Sequence, residues 1–219
     1  MTWAVSEEDA GYFRSLAHGR VEVVPNGAHF GSAVPRPEPT DHLRLLFIGS
    51  LAYSANRDAL REFATRWAPR IDVPWTLSVV GSGMLDADTR VKLMAHSNVT
   101  IQGYVEDVKT AYQTHDVLVA PIRQAGGTRL KVLEAGSNLL PIVATDIAVE
   151  GTGLIPGGEY FLADTAEAAA EALRSIYLDR NAALYVASAA RRKIERFCWP
   201  AIGDAADALL KIVADNHSL

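Results

Sequence analysis

Short apolar runs alternate with helical patterns along most of this 219-residue chain. The runs are rich in Leu, Ile and Val, several end on Gly or Pro, and they lack the polar–apolar alternation of a strand with one wet face. Such runs are typical of strands buried on both faces of a parallel sheet. They are RVEVVP (20–25), LRLLFIG (43–49), WTLSVVG (75–81), NVTIQG (98–103), DVLVAP (116–121), LLPIVAT (139–145) and EYFLA (159–163).

Helical patterns fill the intervals between these runs. The stretch 54–68 places apolar residues at helical spacing behind a Ser/Asn cap, and three helices follow one another at 165–179, 181–197 and 200–216. Because right-handed crossovers place helices on both faces of a parallel sheet, we predict an α/β fold. It is a doubly wound, Rossmann-like parallel sheet with a helical carboxy-terminal tail. In such sheets ligands bind outside the carboxyl ends of the strands.

Composition excludes several classes of protein. A net charge of −5 and a pI near 5.7 argue against a nucleic-acid binder, which would carry a basic face. A single cysteine, Cys198, excludes an intrachain disulfide and fits a reducing compartment. The first residues lack the charged and apolar regions of a signal peptide, and no apolar stretch approaches the ~18 residues of a membrane span. We therefore expect a cytoplasmic protein without a transmembrane segment.

The segment QAGGTRLKVLEAGS (124–137) follows the fifth run and joins a glycine step to a helix. Gly126 and Gly127 allow a ligand to approach the backbone, and a helix that begins near Thr128 points unpaired N–H groups outward, as an anion site requires. Arg129 and Lys131 are placed to add charge-assisted hydrogen bonds to phosphates. A strand-to-helix joint with two solvated cations would explain the same pattern.

Glu134 lies on the predicted helix near its apolar stripe, where an unpaired carboxylate is costly. A carboxylate at the rim of a cavity is suited to accept hydrogen bonds from both hydroxyls of a ribose. The alternatives are a solvent-exposed glutamate or one paired with Arg129 or Lys131.

Two further glycine steps follow strands. Gly49 and Ser50 end the second run, and Gly81-Ser82-Gly83 ends the third, but the latter lacks the remaining features of a dinucleotide fingerprint. Tyr104 stands at a strand end, where its ring either lies against a base or packs in the core. The six histidines have no metal-ligand spacing, so we predict no metal.

Taken together, these segments resemble the carboxy-terminal half of a retaining glycosyltransferase of the GT-B fold, in the family "glycosyl transferases group 1". The resemblance covers nearly the whole chain and is carried by VVPNGAHF, LLFIGSLAYSANRDAL, VTIQGYVEDVKTAYQTHDVLVAPIR and GGTRLKVLEAGSNLLPIVATDIAVEG. It implies a domain that binds a UDP-, GDP- or ADP-sugar without a metal or other cofactor.

The resemblance also implies roles for individual residues. Glu134 matches the second glutamate of the family's E-x7-E motif and would hold the ribose. The backbone N–H groups of Gly127, Thr128 and Arg129 would face the sugar and the diphosphate. Lining residues are implied on the phosphate side (Gly49 and Ser50) and near the base (Tyr104 and Val105).

Three positions depart from the family pattern. The first glutamate of E-x7-E falls on Gly126, which removes the side chain that grips the donor sugar. The Arg and Lys usual after the first strand are missing, with Ser50 and Asn56 in their place, and Arg129 and Lys131 are candidates to compensate. The aspartate common after PNG is His29.

Members of this family also carry an amino-terminal domain with the acceptor site and the catalytic histidine. Residues 1–20 resemble only the end of that domain and its linking helix, and residues 21–219 the donor-binding domain. We therefore expect a chain that is inactive alone, with the other domain supplied in cis or in trans and peripheral membrane attachment at full length. Homo-association through Trp3, Tyr12 and Phe13 is expected where that domain would pack.

The leading hypothesis is thus a donor domain of a hexosyltransferase type of enzyme that acts on a glycan or lipid-linked acceptor, as in polysaccharide biosynthesis. A non-catalytic module that binds a nucleotide sugar or a partner protein is the second hypothesis. An epimerase-like GT-B protein, which alters the nucleotide sugar itself, is the third. The broken fingerprint at Gly81 argues against an oxidoreductase.

Overall fold

A computed structural model describes residues 1–16, 19–31, 36–124 and 129–216. Two short strands, β1 (Thr2–Ala4) and β2 (Val21–Val23), precede the main sheet. The main sheet consists of β3 (Leu43–Ile48), β4 (Trp75–Val80), β5 (Val99–Gly103), β6 (Val117–Ala120), β7 (Ile142–Ala144) and β8 (Phe161–Leu162). All six strands are parallel, in the order β5-β4-β3-β6-β7-β8. The predicted parallel sheet is confirmed.

Nine α-helices accompany the strands in the described ranges. They are α1 (Glu7–Leu16), α2 (Ser54–Glu62), α3 (Ala87–Met94), α4 (Val108–Thr114), α5 (Leu130–Ser137), α6 (Asp146–Val149), α7 (Ala166–Leu178), α8 (Arg180–Ile194) and α9 (Trp199–Asn216). Helices α7, α8 and α9 form the predicted helical tail. Within the described residues, no helix has the length and apolar character needed to cross a membrane.

The strand order runs outward from β3 in both directions, as in a doubly wound sheet. The chain adds β4 and β5 on one side of β3 and then crosses to add β6, β7 and β8 on the other. The strands β3 and β6 are therefore neighbours, but the connection after β3 leads toward β4 and the connection after β6 leads toward β7, in the opposite direction. A crevice opens between the carboxyl ends of two such strands. This switch point positions the cavity described below.

The strands β1 and β2 pair with each other in a separate two-stranded parallel sheet. Ala4, Ala10 and Val21 form its own small apolar cluster, with α1 packed against both strands. The pairing groups β2 with the first sixteen residues, because Val21 buries its side chain in this small cluster. The boundary between residues 20 and 21 stays a prediction.

The small unit exposes large apolar side chains. Trp3 is 42% exposed, Tyr12 62% and Phe13 37%, and the rings of Tyr12 and Phe13 meet edge to face. Homo-association through these three side chains stays a prediction. Light scattering over a range of protein concentrations measures it directly.

The helix predicted over 54–68 is more irregular than its pattern indicated. After α2 the backbone widens into a π-helical turn (Phe63–Trp67) and ends in a 3-10 turn (Ala68–Arg70) that contains a proline. The predicted Ser/Asn cap is wrong, because Tyr53 occupies the cap position and no side chain caps the first turn. Asn56 instead donates its amide N–H to the carbonyl of Ser50, just beyond the carboxyl end of β3.

Helix α5 ends in a conformation that its sequence does not favour. Leu139 has a φ of 56°, and its N–H donates to the carbonyl of Gly136 while Leu140 N–H donates to Ala135. This is a Schellman motif, in which the left-handed position is usually a glycine. A side chain at that position costs about 1 kcal/mol.

We therefore expect Leu139→Gly to be more stable than Leu139→Ala by about 1 kcal/mol, the reverse of the usual order of these two residues. Both substitutions remove the half-buried leucine side chain, so their difference isolates the backbone strain. Urea denaturation of the two variants measures it. Equal stability, or a more stable alanine variant, would show that this turn carries no strain in solution.

Candidate functional site

A cavity of about 410 Å³ lies at the switch point, beyond the carboxyl ends of β3, β4 and β6. Its walls come from the loops that follow the strands and from the helices α2, α4 and α5. The residues that line it are Ile48, Gly49, Tyr53, Ala55, Asn56, Val80, Gly81, Ser82, Tyr104, Val105, Val108, Tyr112, Ile122, Arg129, Leu130, Lys131 and Glu134. Six predicted site residues are thus brought together, namely Gly49, Tyr104, Val105, Arg129, Lys131 and Glu134.

Two glycines form the floor of the cavity where β3 and β4 end. Gly49 N–H donates to the carbonyl of Val80, and Gly81 N–H donates to that of Gly103. A Cβ atom added to Gly81 would lie 1.8 Å from the carbonyl oxygen of Gly49. The two strand ends therefore approach each other as closely as only glycine permits.

Lys131 reaches into the cavity from the first turn of α5. Its Nζ donates to Oδ1 of Asn56 at 2.7 Å and lies 4.6 Å from the centre of the Phe47 ring. A Cβ atom on Gly49 would lie 3.1 Å from this Nζ, so the ammonium sits directly against the glycine floor. Asn56 donates in turn to the carbonyl of Ser50 at 2.9 Å, which orients its amide oxygen toward Lys131.

Arg129 is directed away from the middle of the cavity, although its side chain contributes to the wall. Its Nε donates to the carbonyl of Ile147 at 2.9 Å, and its Nη2 donates to Glu150 at 3.1 Å. The side chain is only 5% exposed. Of the two cations that the sequence offers for phosphates, Lys131 therefore has the freer approach to a ligand.

Glu134 lies one helical turn after Lys131, on the same face of α5. Its Oε2 accepts a hydrogen bond from the hydroxyl of Tyr112 at 2.7 Å. Within the described part of the chain, Oε1 of this half-buried carboxylate has no hydrogen-bond partner. Neither alternative reading of Glu134 is observed, since the residue is not fully exposed and its described partner is Tyr112.

Tyr112 was not predicted as a site residue. It is buried in α4, and burial, together with the charge of Glu134 and the hydrogen bond to it, raises the pKa of the Tyr112 hydroxyl well above its ordinary value. The hydroxyl keeps its proton and donates a hydrogen bond to Glu134, which fixes the orientation of the carboxylate. A buried tyrosine needs a hydrogen-bond partner, so its place on the apolar face of α4 was a usable signal.

Tyr104 and Val105 follow β5 on the far side of the cavity. Tyr104 is 72% exposed, so its ring is not a core residue, and Val105 packs partly against the core. An exposed ring beside an apolar side chain at a cavity rim is suited to stack against a flat heterocycle.

The remaining predicted residues are Ser50 and three residues of the loop before α5. Ser50 is exposed and contributes its carbonyl to Asn56. Gly126, Gly127 and Thr128 lie outside the described residues, and α5 begins at Leu130. Across the described ranges, no three His, Cys, Asp or Glu side chains cluster as metal ligands would.

Solved structures share this fold. Sucrose-phosphate synthase from Thermosynechococcus elongatus is similar with a TM-score of 0.76 and 20% identity, over 98% of this chain and 58% of that one. Anabaena Alr3699/HepE in complex with UDP and glucose has a TM-score of 0.74 and 18% identity, over 95% and 62%. A variant of S. aureus TarM in complex with UDP has a TM-score of 0.74 and 16% identity, over 92% and 42%.

The chain thus spans less than two thirds of each of these three proteins, and its fold is that of one half of a GT-B glycosyltransferase. No curated protein matches the sequence. A family model described as "Glycosyl transferases group 1" matches residues 42–179, which hold β3 to α7 and the whole wall of the cavity. On this match over more than half of its length, the chain belongs to the group 1 glycosyltransferase family.

Proposed function

We propose that this chain is the donor-binding domain of a retaining glycosyltransferase of the hexosyltransferase type. The cavity at the switch point would hold a nucleoside-diphosphate sugar, whose sugar is transferred to a glycan or lipid-linked acceptor. Family membership and the fold support a transferase. The cavity supplies the finer argument.

The observation that carries the proposal is the pair Lys131 and Glu134 on one face of α5. A carboxylate that lines a cavity, with one oxygen held by Tyr112 and the other without a hydrogen-bond partner among the described residues, is ready to accept hydrogen bonds from hydroxyl groups. An ammonium one helical turn away, about 5 Å along the axis, is ready to bind an anion. Ribose and diphosphate follow one another at a comparable spacing in a nucleoside diphosphate.

The rest of the ligand follows from this placement. With ribose at Glu134 and phosphates at Lys131, the base extends toward Tyr104 and Val105, which line the same cavity. The amine of Lys131 lies against the glycine floor at Gly49, so phosphates that it binds would lie near the carboxyl end of β3. Two similar structures contain UDP, so uracil is the first base to test.

The role that we assign to these residues is stabilisation of the leaving group, which is the nucleoside diphosphate. In sugar transfer the bond between the anomeric carbon and the diphosphate breaks, and negative charge collects on the diphosphate. A cation at Lys131 stabilises that charge. The acceptor hydroxyl must be placed against the anomeric carbon by a second domain, so we propose that this chain alone binds donor without transferring it.

Calorimetric titration with UDP, GDP and ADP tests the proposal. We expect one nucleotide to bind, and Glu134→Ala to weaken that binding by about 1.5–3 kcal/mol, tenfold or more, because a charged hydrogen bond to the ribose is lost. Tyr112→Phe should weaken it less, since the carboxylate remains but is no longer held.

Glu171→Ala is the matched control, because Glu171 is an exposed glutamate on α7, outside the cavity wall. It should leave the affinity unchanged. Binding that survives Glu134→Ala would remove the ribose assignment. No binding of any of the three nucleotides would contradict a donor site in this chain.

A further inference from the structure

The ammonium of Lys131 has an unusual surrounding for a charged group. Its described contacts are one amide oxygen, that of Asn56 at 2.7 Å, and the face of the Phe47 ring. Within the described residues, no carboxylate lies within ion-pair distance of its Nζ. Asn56 is itself only 7% exposed, and its amide N–H donates to the carbonyl of Ser50. Its amide oxygen therefore stays directed toward Lys131.

Within the described wall of the cavity, the other charged and titratable groups form no ion pair with Lys131. Tyr53 lies before α2, Tyr104 and Tyr112 lie on the side of β5 and α4, and Arg129 and Glu134 lie on the side of α5. The described hydrogen bond of Glu134 goes to Tyr112, and the charge of Arg129 opposes that of Lys131. Burial, together with this repulsion from Arg129, lowers the pKa of Lys131 to about 7.

We propose that Lys131 is the cation that binds the diphosphate of the donor and that it takes up a proton from solution as the donor binds. This inference rests on the proposed function. Among the described residues, Lys131 has an amide oxygen and an aromatic face as contacts but no counter-ion, and phosphate oxygens would supply one. Binding therefore joins two events, the entry of an anion and the protonation of the amine that faces it.

The direction of the pH dependence follows. Below about pH 7 the amine of the free protein is already an ammonium, so binding needs no proton. Above about pH 7 the neutral amine prevails, and each bound diphosphate draws one proton from the buffer to form the ammonium. Affinity should therefore be constant in mild acid and fall as the pH rises, by at most about tenfold per pH unit.

Titration with UDP-glucose at about pH 6 and about pH 8.5, in two buffers of different ionisation enthalpy, measures the proton directly. Both phosphates of UDP-glucose are diesters, so the ligand itself exchanges no proton in this range. We expect close to no proton uptake at the lower pH and close to one proton at the higher pH, with roughly thirtyfold weaker binding, because a pKa near 7 leaves only about one amine in thirty protonated at pH 8.5. Uridine, which has no phosphate, should bind without uptake at either pH.

Asn56→Asp tests the geometry without removing the lysine. A carboxylate in place of the amide, 2.7 Å from Nζ, would keep Lys131 charged at both values of pH. Proton uptake should vanish, and UDP-glucose should bind more weakly at pH 6 because the new carboxylate repels the phosphates. A role of Asn56 in packing alone would leave the proton count at the higher pH unchanged.

Lys131→Met provides the second variant. It should abolish the proton uptake and weaken the binding at pH 6 by about tenfold or more. It should also raise the melting temperature of the free protein, because a partly buried amine is replaced by an apolar chain. A raised melting temperature with lost affinity excludes misfolding as the cause.

Three results would overturn the inference. Binding of UDP-glucose with no proton uptake at the higher pH would show that Lys131 does not gain its charge from the ligand, while the proposed function would stand. Binding that is unaffected by Lys131→Met would remove Lys131 from the phosphate site. Absence of binding at either pH would overturn this inference together with the proposed function.

Discussion

Gly81→Ala is expected to destabilise the protein by at least about 3 kcal/mol, a large part of the roughly 5–15 kcal/mol that is usual for a domain. The new Cβ atom would lie 1.8 Å from the carbonyl oxygen of Gly49 and 2.7 Å from its carbon. Both obstructing atoms belong to the backbone, so no side chain can turn aside to make room. The only relief is to separate the ends of β3 and β4, which pair along their whole length.

Urea denaturation followed by circular dichroism measures this effect. Gly158→Ala is the matched control, because a Cβ atom on Gly158 meets nothing within 4 Å. It should be neutral or slightly stabilising, since alanine restricts the unfolded chain. If Gly81→Ala unfolded at the same urea concentration as the wild type, the two strand ends would not be in contact in solution, and the glycine floor of the cavity would be wrong.

The main sheet could be predicted because its strands are buried on both faces. Such strands appear in the sequence as continuous apolar runs, for example at 116–121. Elements that do not depend on such burial were harder to predict. The helix α6 has four residues, too few for a helical period to show, and it was missed. The π-helical turn after α2 was also missed, because its apolar spacing resembles that of an ordinary helix.

The candidate site was predictable in its residues more than in their arrangement. Glu134 and Lys131 were found because they lie close together in sequence on one helix. The partners that orient them are distant in sequence: Tyr112 precedes Glu134 by 22 residues and Asn56 precedes Lys131 by 75. The direction of Arg129 depends likewise on Glu150, 21 residues later. Such pairings arise from the packing of whole elements and leave no local pattern.

One carboxylate, that of Asp116, joins several segments at the amino ends of the strands, opposite the cavity. Asp116 precedes β6, and its side chain is 8% exposed. It accepts hydrogen bonds from the side chain of Arg44 at 2.8 and 3.0 Å and from the Arg44 N–H at 2.8 Å, and Arg180 lies 3.2 Å away. Burial alone would raise the pKa of Asp116, but these hydrogen bonds and the two arginine charges lower it.

Arg36 adds a third cation to this network. It lies near the amino end of the main domain and donates through Nη1 to the carbonyls of Tyr112 and Asn138, at the ends of α4 and α5. Burial lowers the pKa of Arg36 to about 10, and the charge of Asp116 acts in the opposite direction and supports its protonation. Three arginines from separate segments thus depend on the charge of Asp116, which ties the start of the sheet to α8 and to the segment before β3.

Asp116→Ala is therefore expected to destabilise the protein by about 3 kcal/mol at neutral pH, because it leaves partly buried arginines without their counter-charge. Asp72→Ala, which removes the partner of Arg174 in an exposed ion pair, is the control and should change the stability little.

Because the pKa of Asp116 is lowered in the folded state, its contribution to the stability is present above about pH 4 and is lost as the pH falls further. The difference between wild type and Asp116→Asn should accordingly shrink in acid, in urea denaturation at several values of pH. A difference that persisted unchanged at low pH would mean that shape, and not charge, makes Asp116 necessary. Neither substitution of Asp116 should change the nucleotide affinity measured on the folded fraction, because this network lies at the end of the sheet opposite the cavity.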